Sequence, residues 1–348
     1  MKRNASVDIA KAVAIGCVVV GHVLEAGVLR DGGGGIREGA YLGIYLFHMP
    51  FFFLLSGWLF KEPQPVVGFF RKKFQHLMLP YLAWLFIFNL KALAGFGANL
   101  VRGGLDPEKW QFYFELFGSQ LYGGLEVHGS QIILWFPTCL FFTQQFANLL
   151  MLRLPGIGMQ VGLVSAFYGL CYGLQYLSPV FHLPLAIDCV AGALPFFFLG
   201  HWLRKEPDML PVRWAGPVFV AVFLGIAIWR LPLGYHMRMG EYGVPIISTI
   251  AATGGFLLLL GVCRRLAVRV AVARCLKPVG DASMTIMYLH AVVMSLLSSR
   301  GFDDPWLQVA LALGLPLAIH AALSRVNATR RIFLGASTRP RVRSSQEA

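Results

Sequence analysis

Two ionisable side chains interrupt the first apolar stretch of the chain, DIAKAVAIGCVVVGHVLEAG, where Lys11 and His22 stand eleven residues apart. Eleven residues turn a helix by roughly 1100°, or three turns plus about 20°, so both side chains lie on one face. Their separation along the axis is on the order of 16 Å. Ionisable groups inside a membrane span are costly and commonly serve function. The two residues therefore predict an enzyme in which one helix face carries a charge at one end and a titratable group near the other.

His22 offers two kinds of chemistry. Its imidazole can take a proton as a general base, or it can be acylated and pass the group on as a nucleophile, and the sequence leaves both open. Glu25 lies three residues on, where it can orient the imidazole; a solvated carboxylate at the helix end is the alternative interpretation. Asp8 lies three residues before Lys11 and is expected to pair with it and support it.

Composition places these residues in a membrane protein. The 348 residues are 57% hydrophobic and 14% charged, whereas soluble domains carry about 25% charged residues. The pattern predicts an all-α, polytopic transmembrane bundle: one domain over residues 1–325, followed by a basic cytoplasmic tail at 326–348. About ten segments approach the roughly 20 residues that a bilayer requires. They are 7–25, 41–60, 77–98, 131–151, 158–177, 183–203, 215–231, 244–262, 283–299 and 305–323.

The net charge of +13 follows from the membrane topology that these spans predict. The connecting segments on one side, with both termini, carry 21 of the 30 Lys and Arg residues, and the opposite loops carry 7. This asymmetry predicts that both termini are cytoplasmic, and no nucleic-acid partner is needed to explain the charge. The six cysteines are scattered without a CxxC pair, so neither a metal site nor a disulfide framework is expected.

Six motifs follow one another along the chain: DIAKAVAIGCVVVGH, FHMPFFFLLSGWLF, FFRKKFQHLMLPY, LYGG with ILWFPTCLFF, LPFFFLGHWLRK and KPVGDASMTIMYLH. In this order they resemble acyltransferase family 3, and in particular its fucose-4-O-acetylase-like members, over roughly residues 7–295. The resemblance implies a membrane O-acyltransferase in the bacterial inner membrane. Its donor would be cytoplasmic acyl-CoA, most commonly acetyl-CoA, and its acceptor a hydroxyl of a cell-envelope or lipid-linked carbohydrate. No tightly bound cofactor is implied.

The resemblance also assigns roles to single residues. In the family, the first helix carries a basic residue, ten intervening positions and an essential histidine, which Lys11 and His22 match. A pair of arginines two residues apart precedes the third helix, and the matching positions here are Lys73 and His76. Neighbouring cations can replace the charge that a neutral His76 lacks. The predicted phosphate-binding cluster is Lys11, Arg71, Lys72, Lys73 and His76; charge retained only to fix topology is the alternative for 71–73.

The remaining motif residues receive weaker assignments. His48 is predicted to contact the acceptor or to serve the structure alone, and Trp135 to wall the path of the acyl group or to anchor the fourth helix at the interface. Ser56 and Gly57 are expected to let helices approach closely, as small residues do in membranes. Tyr288 and His290 of the YLH motif receive no role from their spacing, and the basic tail after Arg325 is expected to lie on the anionic inner leaflet.

Two other functions fit the same residues. A transporter or flippase for a glycan or lipid would use the buried histidine and lysine to relay protons or bind cargo, although such proteins commonly show repeated halves. A family member that binds acyl-CoA without transferring the group is the other alternative. The expected partners are acyl-CoA, the glycan or lipid-linked sugar, and membrane lipids; assembly with a second copy of the chain stays open.

Overall fold

The computed structural model describes residues 5–32, 34–102, 104, 106–123, 126–127, 129–154, 156–177, 182–205, 212–229, 231 and 233–336. Regular structure in these residues is helical apart from one isolated bridge between His236 and Glu241. The α-helices are α1 (Ala5–Asp31), α2 (Gly35–Tyr45), α3 (His48–Leu59), α4 (Val66–Lys73), α5 (Leu79–Phe88), α6 (Leu90–Val101), α7 (Pro107–Tyr122), α8 (Trp135–Arg153), α9 (Ile157–Leu177), α10 (Val190–Lys205), α11 (Val212–Trp229), α12 (Ile247–Leu266), α13 (Val270–Asp281), α14 (Ser283–Ser298), α15 (Pro305–Leu323) and α16 (Asn327–Leu334). A π-helical segment, Phe74–Met78, joins α4 to α5, and short 3₁₀ turns occur at Gly129–Leu134, Pro184–Ala186 and Met237–Met239.

Eight of the ten predicted spans correspond to helices that can cross a bilayer by length and composition. In the described residues six are single units: Ala5–Asp31, Gly35–Leu59, Ile157–Leu177, Pro184–Lys205, Ile247–Leu266 and Pro305–Leu323. Two more are bent pairs, Val66–Phe88 with Leu90–Val101 at 55° and Val270–Asp281 with Ser283–Ser298 at 69°. These findings confirm an all-α, multi-pass membrane protein.

The other two predicted spans, 131–151 and 215–231, are helical but do not pass the same test. Helix α8 is long enough, yet Gln144, Gln145 and Asn148 reduce its apolar character. In α11 the apolar stretch is shorter, Gly216–Ile226. The total of ten spans and the membrane side of each terminus therefore stay predictions.

Helix α1 runs through the centre of the bundle, where it packs against α2, α3, α12, α13, α14 and α15. Because it is one unbroken helix from Ala5 to Asp31, Lys11 and His22 do share a face and are separated by about three turns. Its first turns approach α13 closely: a Cβ at Gly280 would overlap the backbone carbonyl of Asp8. Asp8 is buried at this crossing, with 2% of its surface exposed.

Helices α3 and α10 form the tightest pair in the bundle. A Cβ at Gly57 would overlap the carbonyl oxygen of Phe197, and a Cβ at Gly200 would overlap that of Leu54. Backbone contact of this kind needs glycine on both helices, because any side chain would force them apart. Ser56, by contrast, accepts a hydrogen bond from Gln144 Nε2 on α8 at 2.7 Å.

Candidate functional site

The centre of the site is a contact of three side chains on α1 and α2. The Tyr45 hydroxyl donates to Glu25 Oε2 at 2.5 Å and lies 3.0 Å from His22 Nδ1. His22 Nδ1 is in turn 3.1 Å from the same Glu25 oxygen. With Nδ1 protonated, His22 donates to the carboxylate and keeps Nε2 as a free base. Glu25 therefore lies where the sequence predicted an orienting carboxylate, while Tyr45 was not predicted.

Two further histidines lie beside His22. The His290 ring stacks on it with centroids 5.3 Å apart, and the His48 ring meets it edge-on at 6.4 Å. Each donates from Nδ1 to a backbone carbonyl four residues earlier, His48 to Ile44 of α2 at 3.1 Å and His290 to Ile286 of α14 at 2.9 Å. Both rings are buried, at 3% and 0% exposure, whereas the His22 side chain is 30% exposed. Of these three histidines, only His22 is therefore exposed enough to contact a bound molecule.

His22 opens into a cavity of about 240 Å³ between α1, α14 and the 3₁₀ turn that precedes α8. Apart from His22 and Glu25, its lining is small or apolar: Ala26, Leu29, Gly129, Ser130, Ile132, Ile133, Ala291, Met294 and Ser295. Trp135 begins α8 just beyond this turn and packs edge-on against Phe136 with ring centroids 6.0 Å apart. The cavity is thus a small, mostly apolar chamber with one base and one carboxylate in its wall.

Across the described residues, no group of three or more His, Cys, Asp or Glu side chains has an arrangement that could hold a metal ion. The histidines near His22 direct Nδ1 to backbone carbonyls instead.

The loop between α11 and α12 covers the Tyr45 side of the site, which the sequence did not reveal. Tyr235 donates its backbone N–H to the Tyr45 carbonyl at 2.8 Å, and the His236 ring lies 4.7 Å from the Tyr45 ring. His236 Nε2 is also 3.2 Å from the Tyr41 hydroxyl. The only sequence signal was the concentration of polar and aromatic residues in GYHMRMGEYG, which has no fixed spacing from His22.

Arg238 brings a cation to this loop. It donates to the Val127 carbonyl at 3.2 Å. Burial lowers the pKa of its guanidinium, while the Glu25 carboxylate favours the charged form. A half-buried arginine therefore faces the negative charge of the His22 site across the loop.

A second cavity, of about 360 Å³, lies at the other end of α3. Helix α3 begins at His48, beside His22, and ends at Leu59, so about 17 Å of helix separates the two regions. Three lysines line this basic cavity, together with polar side chains: Lys61, Lys72, Lys73, Ser56, Gln64 and Gln144. Lys72 Nζ is 3.5 Å from Gln64 Oε1, and Lys73 Nζ lies 5.2 Å from the Phe69 ring centroid.

The predicted phosphate cluster is therefore brought together only in part. Lys72 and Lys73 share the basic cavity, while Arg71 is exposed on α4 outside its lining. The His76 ring nitrogen contacts the backbone carbonyl of Gly335. Lys11 is partly buried on α1. Lys61 also lines the cavity, although the sequence did not indicate it as a phosphate-binding residue.

Comparison with known proteins shows the family of the chain. Residues 4–325 match the family described as an acyltransferase domain, acyltransferase family 3. The nodulation protein NolL of Mesorhizobium japonicum is 22% identical over 390 aligned residues, which cover 99% of this chain and 93% of the relative. NolL of Sinorhizobium fredii is 30% identical over 97 residues, 27% of this chain and 26% of the relative. No solved structure matches. Because the family match spans nearly the whole chain, this multi-pass membrane protein belongs to the acyltransferase family 3.

Proposed function

We propose that the protein transfers an acyl group, acetyl in the first place, from cytoplasmic acyl-CoA to a hydroxyl of a cell-envelope or lipid-linked carbohydrate in the bacterial inner membrane. The observation that carries this proposal is the contact between His22 and Glu25 at the wall of a cavity, 3.1 Å apart. An imidazole held by a carboxylate, with its second nitrogen free, is the arrangement that acyl transfer to a hydroxyl requires.

The chemistry can follow two routes at this imidazole. In the first, His22 Nε2 removes the proton of the acceptor hydroxyl while that oxygen attacks the thioester carbonyl; the C–S bond then breaks and the departing thiolate takes the proton from His22. In the second, Nε2 attacks the thioester carbonyl, the C–S bond breaks and CoA leaves as a thiolate; the acceptor hydroxyl then attacks the acyl-imidazole, its proton passes to the thiolate, and His22 returns as a neutral imidazole. Glu25 stabilises the imidazolium that forms in the first route. Neither route needs a group that the chain itself lacks.

The basic cavity is the proposed site for the donor's phosphates. Three lysines line it, and ammonium groups bind phosphate as compact point charges. It lies at the opposite end of α3 from His22, so an extended donor that enters here would bring its anionic part to the lysines and direct its thioester towards the His22 cavity. Lys11, on the His22 face of α1, adds charge on the same side of the bundle.

The acceptor would enter from the His22 end, where the 3₁₀ turn before α8 lines the cavity and the α11–α12 loop covers the Tyr45 side of the site. Tyr41, His236 and Arg238 in this region offer hydrogen-bonding groups around Tyr45. Hydroxyl-rich molecules are recognised by such donors and acceptors, so a carbohydrate fits this end better than an apolar acceptor. His48, buried behind His22, would support the site from within its packing.

The test is acyl transfer from radiolabelled acetyl-CoA by the purified protein in lipid, with and without an envelope glycan fraction. His22→Gln is compared with wild type and with His320→Gln, a histidine variant on α15 whose side chain contacts Thr285 rather than the cavity. We expect glycan-dependent transfer in wild type and in His320→Gln, and its loss in His22→Gln.

The outcomes separate the alternatives. Transfer that survives in His22→Gln would overturn the assignment of the base. A wild type that binds acetyl-CoA but transfers nothing to any glycan fraction would support a binding protein without catalysis. A wild type that does not bind acetyl-CoA would contradict the donor assignment and favour a transporter or flippase.

A further inference from the structure

A third cavity lies along α7 and has no part in the site described so far. Its volume is about 820 Å³, larger than that of the His22 cavity or the basic cavity. We call it the α7 groove. Its lining includes Phe112, Phe114, Glu115, Ser119, Tyr122 and Glu126.

The groove occupies one face of α7, while another face packs against the protein. Tyr113 meets Phe96 of α6 edge-on, with ring centroids 5.1 Å apart. Phe112, Glu115 and Ser119 follow one another at spacings of three and four residues, which place them together on a different face of the helix. Helix α6 therefore holds α7 and leaves the groove face open.

The aromatic rings of this face are unusually exposed. Phe112 is 58% exposed and Phe114 is 79% exposed, and exposed apolar surface of this kind marks a binding site or a contact with membrane. Among the described helices, α7 is not one that is long and apolar enough to cross a bilayer. The Glu115 carboxylate lies on the same face, and hydrocarbon chains are a poor environment for it. The face therefore suits a ligand that is both apolar and polar.

The polar groups of the groove favour a ligand rich in hydroxyls. Gln111 Nε2 donates to Glu115 Oε1 at 2.8 Å and orients the carboxylate, and the Tyr122 hydroxyl donates to the His182 carbonyl at 2.8 Å. The described residues that line the groove include no Lys, Arg or His, so phosphate and other anions find no partner there. Carboxylates only accept hydrogen bonds, which hydroxyls can donate. A sugar ring combines such hydroxyls at its edge with C–H faces that stack on aromatic rings.

A short segment connects the groove with the His22 cavity. Glu126 lines the groove, whereas Gly129 and Ser130 line the His22 cavity. Three residues span at most about 11 Å, so the two linings approach each other within that distance. Between them, the Val127 carbonyl accepts a hydrogen bond from Arg238 at 3.2 Å, which holds the segment against the α11–α12 loop.

We infer that the α7 groove binds the acceptor carbohydrate at sugar units beyond the one that receives the acyl group. The inference rests on the proposed function and deepens it, because the acceptor is then an oligosaccharide or polysaccharide chain rather than a single sugar. Phe112 and Phe114 stack on sugar faces, and Glu115 and Glu126 accept hydrogen bonds from sugar hydroxyls. The chain continues past residues 126–130, where its next units reach His22.

The test compares long and short carbohydrates on the full-length protein in phosphatidylcholine nanodiscs. The probes are single sugars and longer chains, separated by size from a partly hydrolysed envelope glycan fraction and labelled with tritium. Their affinity is measured by equilibrium dialysis without acetyl-CoA, so that binding is determined without turnover. The KM and kcat of acyl transfer to each probe are measured in parallel.

Three variants separate the contributions of the groove. Phe114→Leu keeps an apolar side chain but removes the flat ring, Phe114→Tyr restores the ring, and Glu115→Gln removes the charged acceptor. The matched controls are Trp306→Leu on α15, an aromatic residue that is 81% exposed, and Glu108→Gln in the first turn of α7, an exposed carboxylate outside the groove lining.

We expect Glu115→Gln to weaken the binding of long chains about tenfold, the size of one hydrogen bond to a charged group. Phe114→Leu should weaken it roughly threefold to tenfold, as the loss of an aromatic contact does, and Phe114→Tyr should bind as wild type does. Single sugars should bind equally to all variants. In transfer, the KM for long chains should rise while kcat stays unchanged, and both controls should behave as wild type.

Equal affinity of the wild type for single sugars and for long chains would overturn the inference. So would wild-type affinity for long chains in Phe114→Leu and Glu115→Gln, because the face would then serve only as an apolar contact with lipid. A loss that affects single sugars as much as long chains would also overturn it. A wild type that binds no carbohydrate would contradict the proposed acceptor as well, whereas one that binds long chains without transferring an acyl group would contradict only the proposed reaction.

Discussion

Tyr45 donates its hydroxyl to Glu25 Oε2 at 2.5 Å, the same oxygen that lies 3.1 Å from His22 Nδ1. One carboxylate oxygen on α1 thus connects a phenol on α2 with the imidazole one turn earlier on its own helix. This arrangement fixes the rotamers of His22 and Glu25 together, because moving either side chain breaks the contact with Tyr45. The geometry of the proposed base therefore depends on the packing of α2 against α1.

Substitution of Glu25 by Gln should lower acyl transfer strongly without weakening donor binding. The amide cannot stabilise the imidazolium, and it can donate to Nδ1, which would place the proton on Nε2. Part of the roughly 10²–10⁴-fold contribution of a general base would be lost, and we expect kcat to fall by at least about tenfold. The measurement is steady-state transfer from acetyl-CoA, with Glu38→Gln on α2 as control; equal kcat values would contradict a role for Glu25.

Tyr45→Phe should have a smaller effect on the same reaction. The variant retains the ring that packs on His48, with centroids 4.4 Å apart, but it loses the hydroxyl that holds Glu25. We expect kcat to fall about tenfold, the equivalent of one charge-assisted hydrogen bond at about 1.5 kcal/mol. The double variant Tyr45→Phe, Glu25→Gln should be no worse than Glu25→Gln, because both changes act through His22; additive losses would show that the residues work independently.

Replacing Lys73 by Gln should raise the KM for acetyl-CoA and leave kcat nearly unchanged. The lysine lines the basic cavity far from His22, so its charge acts on donor binding alone. The loss should shrink with added salt, because screening already weakens the interaction in wild type. Lys277→Gln, an exposed lysine of α13, is the control, and an equal rise of KM in both variants would show a general charge effect.

The close pairing of α3 and α10 should make Gly57→Val severely destabilising. The added side chain meets the Phe197 carbonyl, and backbone cannot move aside as a side chain does. Overpacking costs about 1–3 kcal/mol and sometimes more, so we expect a lower thermal unfolding temperature in detergent. Gly169→Val on α9, where a Cβ would meet nothing within 4 Å, provides the comparison; equal stability of both variants would contradict the packing.

Helix α7 should loosen at low pH. Asp106 accepts from the Lys109 side chain at 2.6 Å and from its backbone N–H at 2.8 Å. These hydrogen bonds lower the pKa of the Asp106 carboxyl. A depressed pKa stabilises the folded helix above the ordinary pKa of about 3.9, and this contribution is lost as pH falls through the folded value. The protection of the amides in the first turn of α7, measured as their exchange rate relative to an unstructured peptide at the same pH, should therefore fall below pH about 4, and Asp106→Asn should remove this pH dependence.

The sequence by itself determined the class of the protein and the helix face on which the candidate site lies. Apolar segments of bilayer length can satisfy their backbone groups only as helices, so composition alone predicts an all-α membrane bundle. The helical period then places Lys11, His22 and Glu25 on one face of α1, because residues within one helix have positions fixed by its geometry. The expected pairing of Asp8 with Lys11 rests on the same local spacing, whereas the phosphate-binding role of Lys72 and Lys73 was predicted from the family resemblance.

Tertiary structure decided which residues from other helices reach that face. Tyr45, His290 and the loop residue His236 are separated from His22 by 23 to 268 residues in sequence, and no period relates positions on different helices. His76 shows the limit most clearly: its spacing matches a phosphate-binding position, yet its Nδ1 contacts the Gly335 carbonyl at the end of the C-terminal helix. Spacing fixes angles along one helix, but the partner of a side chain depends on which helices pack together. That choice is made by close backbone contacts such as those at Gly57, Gly200 and Gly280.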